Sequence, residues 1–126
     1  MQMETMRSVD AADAPSLSPD DRPIDLVHLA RMTMGDRSLE REVLQLFDRQ
    51  SSLLIARMRT AAPASIATLA HTLNGSARGI GAWRVARAAE ALELADPGSE
   101  AGAALDRLSA ASDEARLLIA DLLRAN

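Results

Sequence analysis

The chain has 126 residues, enough for one domain, and 48% of them are hydrophobic, enough to form a single core. It contains no cysteine, which excludes disulfides and thiolate metal sites, and its two histidines cannot form a metal site without carboxylates. The formal charge of −4 argues against nucleic acid as the main partner. Because no apolar run reaches the roughly 18 residues of a membrane span, and the N-terminus has no apolar signal sequence, we expect a cytoplasmic protein without membrane association.

The first part of the chain is predicted to be a leader followed by a short helix. Residues 1–22 are polar and aperiodic and contain two prolines, which indicates a flexible leader ahead of a domain over residues 23–126. A pair of aspartates just before Pro23 is typical of a helix start. The helix that follows should end near Gly35.

Two long amphipathic helices are predicted next. Asp36 is a suitable N-cap for a second helix that runs to about Thr60. Pro63 fits the first turn of a third helix, which Gly79 and Gly81 should close. The apolar residues of the second helix recur at helical spacing and should face the core: they are Leu39, Val43, Leu46, Phe47, Leu54 and Met58.

Two further helices complete the prediction. A fourth helix should run from about residue 82 to residue 95, with Val85, Ala89 and Leu92 facing inward. The sequence Asp-Pro-Gly over residues 96–98 breaks the chain, and Ser99 is expected to cap a fifth helix. Four long amphipathic helices with short connections predict an all-α fold, an antiparallel four-helix bundle with a short additional N-terminal helix.

The third helix carries an unusual pair of residues on its predicted outer face. At about 100° per residue, His71 lies roughly 140° from the direction of Ile66, so its ring should point to solvent. Gly75 lies four residues further on, on the same face. A glycine inside a helix costs roughly 1 kcal/mol relative to alanine, and here it would leave room beside an exposed imidazole. The other interpretation is a surface histidine beside a glycine without functional meaning.

The segment around this pair resembles the histidine-containing phosphotransfer (HPt) domain family. It reads LAHTLNGSARGIGAWRVARAAEALE, and the residues that match the family signature are His71, Leu73, Gly75, Ser76, Gly81, Ala82, Leu92 and Glu93. The resemblance extends over roughly residues 23–125. The dimerisation helices of sensor kinases also carry a phospho-accepting histidine, but they follow it with an acidic residue and a proline-containing tail that this chain lacks.

The resemblance implies a role for each residue near the histidine. His71 would be the phospho-acceptor, Gly75 would give access to it, and Glu93 would hold one ring nitrogen and fix the tautomer. An ordinary carboxylate at the boundary of the core is the alternative interpretation of Glu93. The family usually has a lysine where this chain has Asn74, which brings no charge. Either Arg78, on the same side of the helix, supplies the missing charge, or phosphoryl transfer is weak.

The expected partners are receiver domains of response regulators and hybrid histidine kinases. By resemblance the receiver would bring Mg²⁺, so no cofactor and no metal site are expected on this chain, which should be a monomer. The residues expected to contact the partner are Thr68, Thr72, Trp83, Arg84 and Arg87. Trp83 is interpreted either as an exposed interface anchor near the same end as His71 or as a lid over a neighbouring helix. The segment from Arg49 to Ala89 has six arginines and no acidic residue, which indicates either a surface for an anionic partner or simply solvated helix faces.

The predicted function is the transfer of a phosphoryl group between receiver-domain aspartates through phosphohistidine at His71, in a two-component phosphorelay. The chain would be a phosphocarrier without an ATP-dependent kinase activity of its own, because the sequence has no glycine-rich phosphate loop and no kinase motif. One alternative is a degenerate HPt-like adaptor that binds receivers without efficient transfer, for which Asn74 is the main support. Another is a structural bundle in which His71 has no chemical role.

Overall fold

The computed structural model describes residues 22–125, and this part of the chain folds into helices without strands. The predicted flexible leader lies outside the described residues except for Arg22. The helices are α1 (Leu26–Met32), α2 (Arg37–Met58), α3 (Pro63–Ile80), α4 (Trp83–Leu94) and α5 (Ala101–Ala125). No helix within the described range combines the length and the apolar character that crossing a membrane requires. The prediction of an all-α fold is confirmed.

The four long helices form a bundle in which neighbours along the chain are also neighbours in space. Helix α2 packs on α3, α3 on α4 and α4 on α5, while α5 closes back on α2. The short helix α1 packs against α3. The predicted four-helix bundle with an additional N-terminal helix is therefore confirmed, and α3 and α5 occupy opposite corners of it.

Local sequence signals mark the starts of the first three helices: an aspartate cap for α1 and α2 and a proline in the first turn of α3. Asp25 caps α1, because its Oδ1 accepts a hydrogen bond from the backbone N–H of His28 at 3.1 Å. Asp36 caps α2 in the same way, accepting from the backbone N–H of Leu39 at 3.0 Å. Pro63 is the first residue of α3, where its missing N–H costs nothing. The predicted starts of α2 and α3 are confirmed, and α1 begins a few residues later than the sequence indicated.

The start of α5 differs from the prediction. Ser99 does not cap this helix: its hydroxyl donates to Asp96 Oδ2 at 2.6 Å, and α5 begins only at Ala101. The backbone N–H of Gly98 donates to the other carboxylate oxygen of Asp96 at 3.4 Å. These two hydrogen bonds, that of Ser99 first, hold the pKa of Asp96 below its ordinary value. Asp96, and not the predicted Ser99, is therefore the residue whose side chain orders the turn before α5.

The core between the long helices is aliphatic, with Phe47 as its one aromatic residue among the buried residues of the described chain. Phe47, Leu54 and Met58 of α2 are buried as predicted. Leu39 and Leu46 were predicted to face the core with them, but these side chains are 37% and 57% exposed. The predicted apolar stripe of α2 is therefore wrong at these two positions, and α2 carries apolar residues on its surface.

Side-chain bonds mark the flank of α2 that faces α5. Asp48 on this flank accepts from Arg116 Nε of α5 at 2.6 Å. Arg59, at the end of α2, donates to Ser109 Oγ of α5 at 3.0 Å. Arg41, near its beginning, donates to a backbone carbonyl at the end of α5 at 3.0 Å. The opposite flank of α2 therefore borders α3.

The arginine-rich middle of the sequence does not form one basic surface. Arg59 of α2 lies 3.9 Å from a carboxylate oxygen of Asp106 on α5. Arg84 of α4 lies 3.3 Å from a carboxylate oxygen of Glu114 on the same helix α5. Helix α5 thus supplies acids beside Arg59 and Arg84, so these two arginines serve contacts between helices.

A tight corner joins α3 to α4 and holds α1 against the bundle. Gly81 has a φ of 84°, in the left-handed region that residues with side chains adopt only with strain. Its carbonyl oxygen accepts a hydrogen bond from the backbone N–H of Asp25 at 2.8 Å. A Cβ at this position would lie 3.0 Å from Asp25 O and 3.2 Å from the ring of His28. Glycine is therefore needed for the turn and for the close approach of α1.

We expect the substitution Gly81→Ala to lower the free energy of unfolding by about 2 kcal/mol or more, since the left-handed conformation alone costs roughly 1–2 kcal/mol and α1 must also move away. Urea unfolding followed by circular dichroism measures this loss. Gly79→Ala is the matched control, because a Cβ at Gly79 meets no atom within 4 Å. The control should be neutral or slightly stabilising, and equal stability of both variants would contradict the structural role of Gly81.

Candidate functional site

His71 lies near the middle of α3 on the side turned away from the core. Its neighbours Ala70 and Leu73 are fully buried, whereas the side chain of His71 is 74% exposed. Helical geometry accounts for this contrast, because residues 70, 73 and 77 share one face of the helix and residue 71 lies on the opposite one. The predicted exposure of His71 is confirmed.

Glu93, near the end of α4, holds the ring of His71 in place. Its Oε2 lies 2.8 Å from Nδ1 of His71, and the Glu93 side chain is largely covered, being 27% exposed. An ionised carboxylate accepts hydrogen bonds but does not donate them, so Nδ1 must carry the proton. The tautomer with Nδ1–H leaves the lone pair on Nε2, the ring nitrogen on the far side from Glu93. The predicted contact between these two residues is confirmed.

Gly75 leaves open space one turn beyond His71. A Cβ built at Gly75 would meet no atom within 4 Å. Core packing therefore does not require a glycine here, and its effect is to lower the helix surface beside the imidazole. The prediction that this position is open is confirmed.

The other side of the imidazole borders a shallow hollow between α3 and α4. The hollow has a volume of about 250 Å³ and is lined by Ala67, Thr68, His71 and Glu93. Thr72 is exposed one turn along α3 from Thr68, and its hydroxyl donates to the backbone carbonyl of Thr68 at 3.2 Å. The two predicted partner-contacting threonines thus lie beside His71 on an accessible surface.

Asn74 and Arg78 form a small polar network with α4. Arg78 Nε donates to Asn74 Oδ1 at 2.9 Å, and Arg78 also lies 3.5 Å from Glu90 Oε1. Arg78 thus lies beside Asn74, on the same side of α3 as the sequence predicted. Glu90 was not identified from the sequence, although it lies one turn before Glu93 on the same flank of α4 and should be found by that spacing. Its carboxylate offsets part of the charge that Arg78 brings to this region.

Trp83 does not belong to this site. It begins α4, whereas Glu93 lies ten residues later, so the two are about 15 Å apart along the helix at 1.5 Å per residue. Its indole N–H donates to Asp25 Oδ2 at 3.0 Å, and its ring makes an edge-on contact with His28 at a centroid distance of 4.9 Å. The prediction of an exposed anchor near His71 is wrong, and the alternative of a lid, here against α1, fits the structure. The Trp83 hydrogen bond is the main cause that lowers the pKa of Asp25, followed by the bond from His28 N.

The two arginines predicted on α4 also lie away from His71. Arg84 points to the other flank of α4, where it pairs with Glu114 of α5. Arg87 is exposed on the outer face of α4, with the buried Val85 and Ala89 on the opposite side. In this structure Arg84 serves the packing of α4 on α5, and its predicted contact with a partner stays a prediction.

The described residues offer no obvious metal centre. Over residues 22–125, His, Asp and Glu side chains do not gather in any group of three or more that could hold a metal ion. The arrangement at His71 is instead that of a single nucleophile, with one ring nitrogen bound and the other facing solvent.

Comparison with known proteins gave one finding. A family model described as Hpt domain matches residues 42–125, which include most of α2 and all of α3, α4 and α5. Neither the curated proteins nor the solved structures gave a match. The matched range contains the entire arrangement of His71, Gly75 and Glu93.

Proposed function

The chain belongs to the Hpt domain family, whose members act in the phosphotransfer steps of two-component signalling, and from this membership we propose that it carries a phosphoryl group on His71 between aspartates of receiver domains. The observation that carries the proposal is the exposed imidazole, bound to Glu93 through Nδ1 and bordered by open space at Gly75. This combination presents one ring nitrogen as a nucleophile and leaves room for a protein partner to approach it.

The first step forms a bond between nitrogen and phosphorus. The lone pair of His71 Nε2 attacks the phosphorus of an aspartyl phosphate on the receiver, and the bond between phosphorus and the aspartate oxygen breaks. The aspartate leaves as a carboxylate with the bonding electron pair. The ring keeps its proton on Nδ1 and gains a positive charge, which the carboxylate of Glu93 offsets at a distance of 2.8 Å.

The second step reverses the first on another receiver. A carboxylate oxygen of that receiver attacks the phosphorus, the bond from phosphorus to Nε2 breaks, and the electron pair returns to the ring. Since the Nδ1 proton remains in place throughout, Glu93 keeps the ring in one orientation for both transfers. The chain thereby returns to its starting state without consuming ATP.

Most of the charge stabilisation is assigned to the receiver, which would bring Mg²⁺. The chain contributes the nucleophile, the orienting carboxylate and the surface on which the receiver docks. We therefore describe it as a phosphocarrier that has no kinase activity of its own.

The second candidate is an adaptor that binds receivers without efficient transfer. Two observations favour it: Asn74 stands where the family usually has a lysine, and Arg78, the cation bound to Asn74, is shared with Glu90. A receiver docked at His71 would then meet less positive charge than is usual in the family. Both candidates use the same surface and differ in whether the phosphoryl group moves.

A transfer assay separates the two candidates. A receiver domain labelled on its aspartate is mixed with the chain, and the label on each protein is followed over time. Acid-labile label on the chain supports the carrier, whereas stable binding without label supports the adaptor. Incubation with ATP alone should give no label, because the chain is expected to lack kinase activity.

We expect Glu93→Gln to slow the transfer to His71 by about tenfold, since exchanging a charged for a neutral partner costs the ring roughly 1.4 kcal/mol of hydrogen-bond energy. The initial rate of labelling measures this loss. Nitrogen NMR of the His71 ring supplies a second readout, because the Nδ1–H tautomer should lose population only if Glu93 selects it. An unchanged rate and an unchanged tautomer would show that Glu93 is an ordinary boundary carboxylate.

A further inference from the structure

A small apolar recess lies at the end of the bundle where α3 begins, α4 ends and α5 begins. Its volume is about 70 Å³, and Leu92, which is 3% exposed, lines its inner side. Among the described residues that line the recess, Glu93 alone is polar. The other apolar residues of the lining are Pro63, Ile66, Ala67, Ala95, Pro97 and Ala101. A concave apolar space with one polar group is typical of a site for a small ligand.

Glu93 separates this recess from the hollow beside His71. Glu93 and Ala67 line both spaces, so these two residues form the wall between them. The Oε2 atom of Glu93 lies 2.8 Å from Nδ1 of His71. A molecule in the recess therefore touches the residue that orients the imidazole, and it does so without covering the open surface at Gly75. The recess thus gives indirect access to the ring of His71, through Glu93.

The volume of the recess limits the apolar part of a ligand to a short aliphatic group. A cavity of roughly 150 Å³ accepts a benzene ring, so a space of about 70 Å³ is too small for one. A branched group of about four carbon atoms fits such a space. Its burial against Ile66 and Leu92 removes apolar surface from water, which favours binding.

The charges around Glu93 determine the polar end of the ligand. An ionised carboxylate accepts hydrogen bonds and donates none, so the ligand must be a donor. Residues 88–106, which form the second half of α4 and the start of α5, contain five acids and no basic residue, and residues 61–77 contain neither acid nor base apart from His71. Arg59, at the end of α2, is directed to Ser109 of α5. An ammonium group is therefore favoured over a neutral hydroxyl, and a carboxylate is repelled.

From the shape and the charge of the recess we infer that it binds a primary ammonium ion with a short branched aliphatic group, and that the bound ion slows phosphorylation of His71 by sharing the carboxylate of Glu93. The effect on His71 rests on the proposed function, whereas the binding does not. Phosphorylation gives the ring a positive charge, which Glu93 offsets. An ammonium group on the same carboxylate reduces this offset, so the charged ring is less stable.

Three ligands that share the isobutyl group and differ in their polar end test the binding: isobutylamine, isobutanol and isovalerate. Amide NMR signals of Ala67, Ala95 and Ala101 report on the recess. Isobutylammonium should shift these signals with a dissociation constant of about 1 mM, which is within the limit for a ligand of about five non-hydrogen atoms. Isobutanol should bind at least about threefold more weakly, since its hydrogen bond to the carboxylate lacks a second charge, and isovalerate should not bind.

The response of His71 tests the coupling between the two spaces. Phosphoramidate, a small phosphoryl donor, labels histidine without a protein partner. Saturating isobutylammonium should slow this labelling by up to about tenfold, the loss expected when Glu93→Gln removes the charge entirely, and isovalerate should leave the rate unchanged. Nitrogen NMR of the ring detects the same coupling without phosphorylation, because the Nδ1–H tautomer should lose population when isobutylammonium binds.

Two variants place the ligand in the recess. Ala101→Leu fills the space with an aliphatic side chain, and Ala103→Leu makes the same change at an exposed position of α5 that does not line it. Neither the NMR signals nor the labelling rate of Ala101→Leu should respond to isobutylammonium, whereas Ala103→Leu should respond as the wild type does. Glu93→Gln keeps the shape of the recess, and it should bind isobutylammonium no more tightly than isobutanol.

Each outcome separates the inference from the function on which its second part rests. Signals that ignore isobutylammonium, or that shift equally with isovalerate, would overturn the site. Binding that changes neither the labelling rate nor the tautomer would overturn its coupling to His71. If receivers never exchange label with the chain, the relay function fails, but shifts that disappear in Ala101→Leu still establish the site. Such shifts together with slower labelling of the wild type support both parts.

Discussion

Replacing His71 with glutamine is expected to abolish phosphoryl transfer, with no acid-labile label on the chain from either a receiver or phosphoramidate. Glutamine is similar in size and its amide N–H can still donate to Glu93, but it has no ring nitrogen with a nucleophilic lone pair. Because the side chain of His71 is 74% exposed, the free energy of unfolding should change by less than about 0.5 kcal/mol. The loss of label would then reflect chemistry and not folding.

The second histidine of the chain supplies the control for this experiment. His28 lies against Trp83, at the corner between α1 and α4, and its Nε2 is buried. His28→Gln should therefore keep the label even if the variant is less stable. Label that persists on His71→Gln, or that disappears only with His28→Gln, would contradict the assignment of the carrier to His71. A wild-type chain that binds receivers and never carries label would be the adaptor.

The helices and the central pair of the site were accessible from the sequence because they depend on local periodicity. Asp36 and Pro63 mark helix starts through bonds within their own turns, so no distant contact is needed to recognise them. The 100° rotation per residue is enough to place His71 outside, and the resemblance to HPt domains adds Glu93 as its partner on the next helix. These features are confirmed because tertiary packing preserves the local preference.

The environments of Trp83 and Arg84 were not predicted, because they depend on which distant segment covers each residue. Trp83 has an outward position on α4, but α1 folds back onto it and Asp25 accepts its N–H. Arg84 belongs to a segment without acids, but Glu114 lies thirty residues later on α5. Neither partner is near in sequence, and no periodic pattern relates the residues of each pair. The same reason explains why Arg59, also in the segment without acids, lies close to Asp106 of α5.

The exposure of Leu39 and Leu46 was missed for a different reason. Leu39 and Leu46 repeat at helical spacing with the buried Phe47, and an apolar residue beside the core face is assigned to the core by default. Only the placement of α5, fixed by contacts such as that of Asp48 with Arg116, shows which flank of α2 is left for α3 and solvent. An apolar pattern wider than the core requires therefore predicts apolar residues on the surface of α2.

The glycine beside His71 connects the shape of the site to its chemistry. Side chains on a helix lean toward its N-terminus, so any side chain at position 75 would lean over the turn that carries His71. In the native chain this volume is empty, since a Cβ at Gly75 would have no neighbour within 4 Å. The imidazole is thus approachable over Gly75, across the outer face of α3.

We expect Gly75→Gln to slow transfer between the chain and a receiver by about 100-fold, because a displacement of about 1 Å of the reacting atoms already costs that much. Labelling by phosphoramidate should change little, since a small donor fits beside the new side chain. The free energy of unfolding should rise by up to about 1 kcal/mol, because glutamine favours helix over glycine. Transfer kinetics, phosphoramidate labelling and urea unfolding measure the three effects.

Two controls decide what such a loss means. Gly75→Ala adds only a methyl group, so it should stabilise the fold as much as Gly75→Gln does and slow transfer far less. A loss of rate that grows with the size of the side chain would indicate steric exclusion of the receiver. Gly102→Gln adds the same side chain at an equally open glycine on α5, the helix opposite α3, and should leave transfer unchanged. If Gly75→Gln transfers as fast as the wild type, the receiver does not approach over this face of α3. The open space beside the imidazole would then have no part in the reaction.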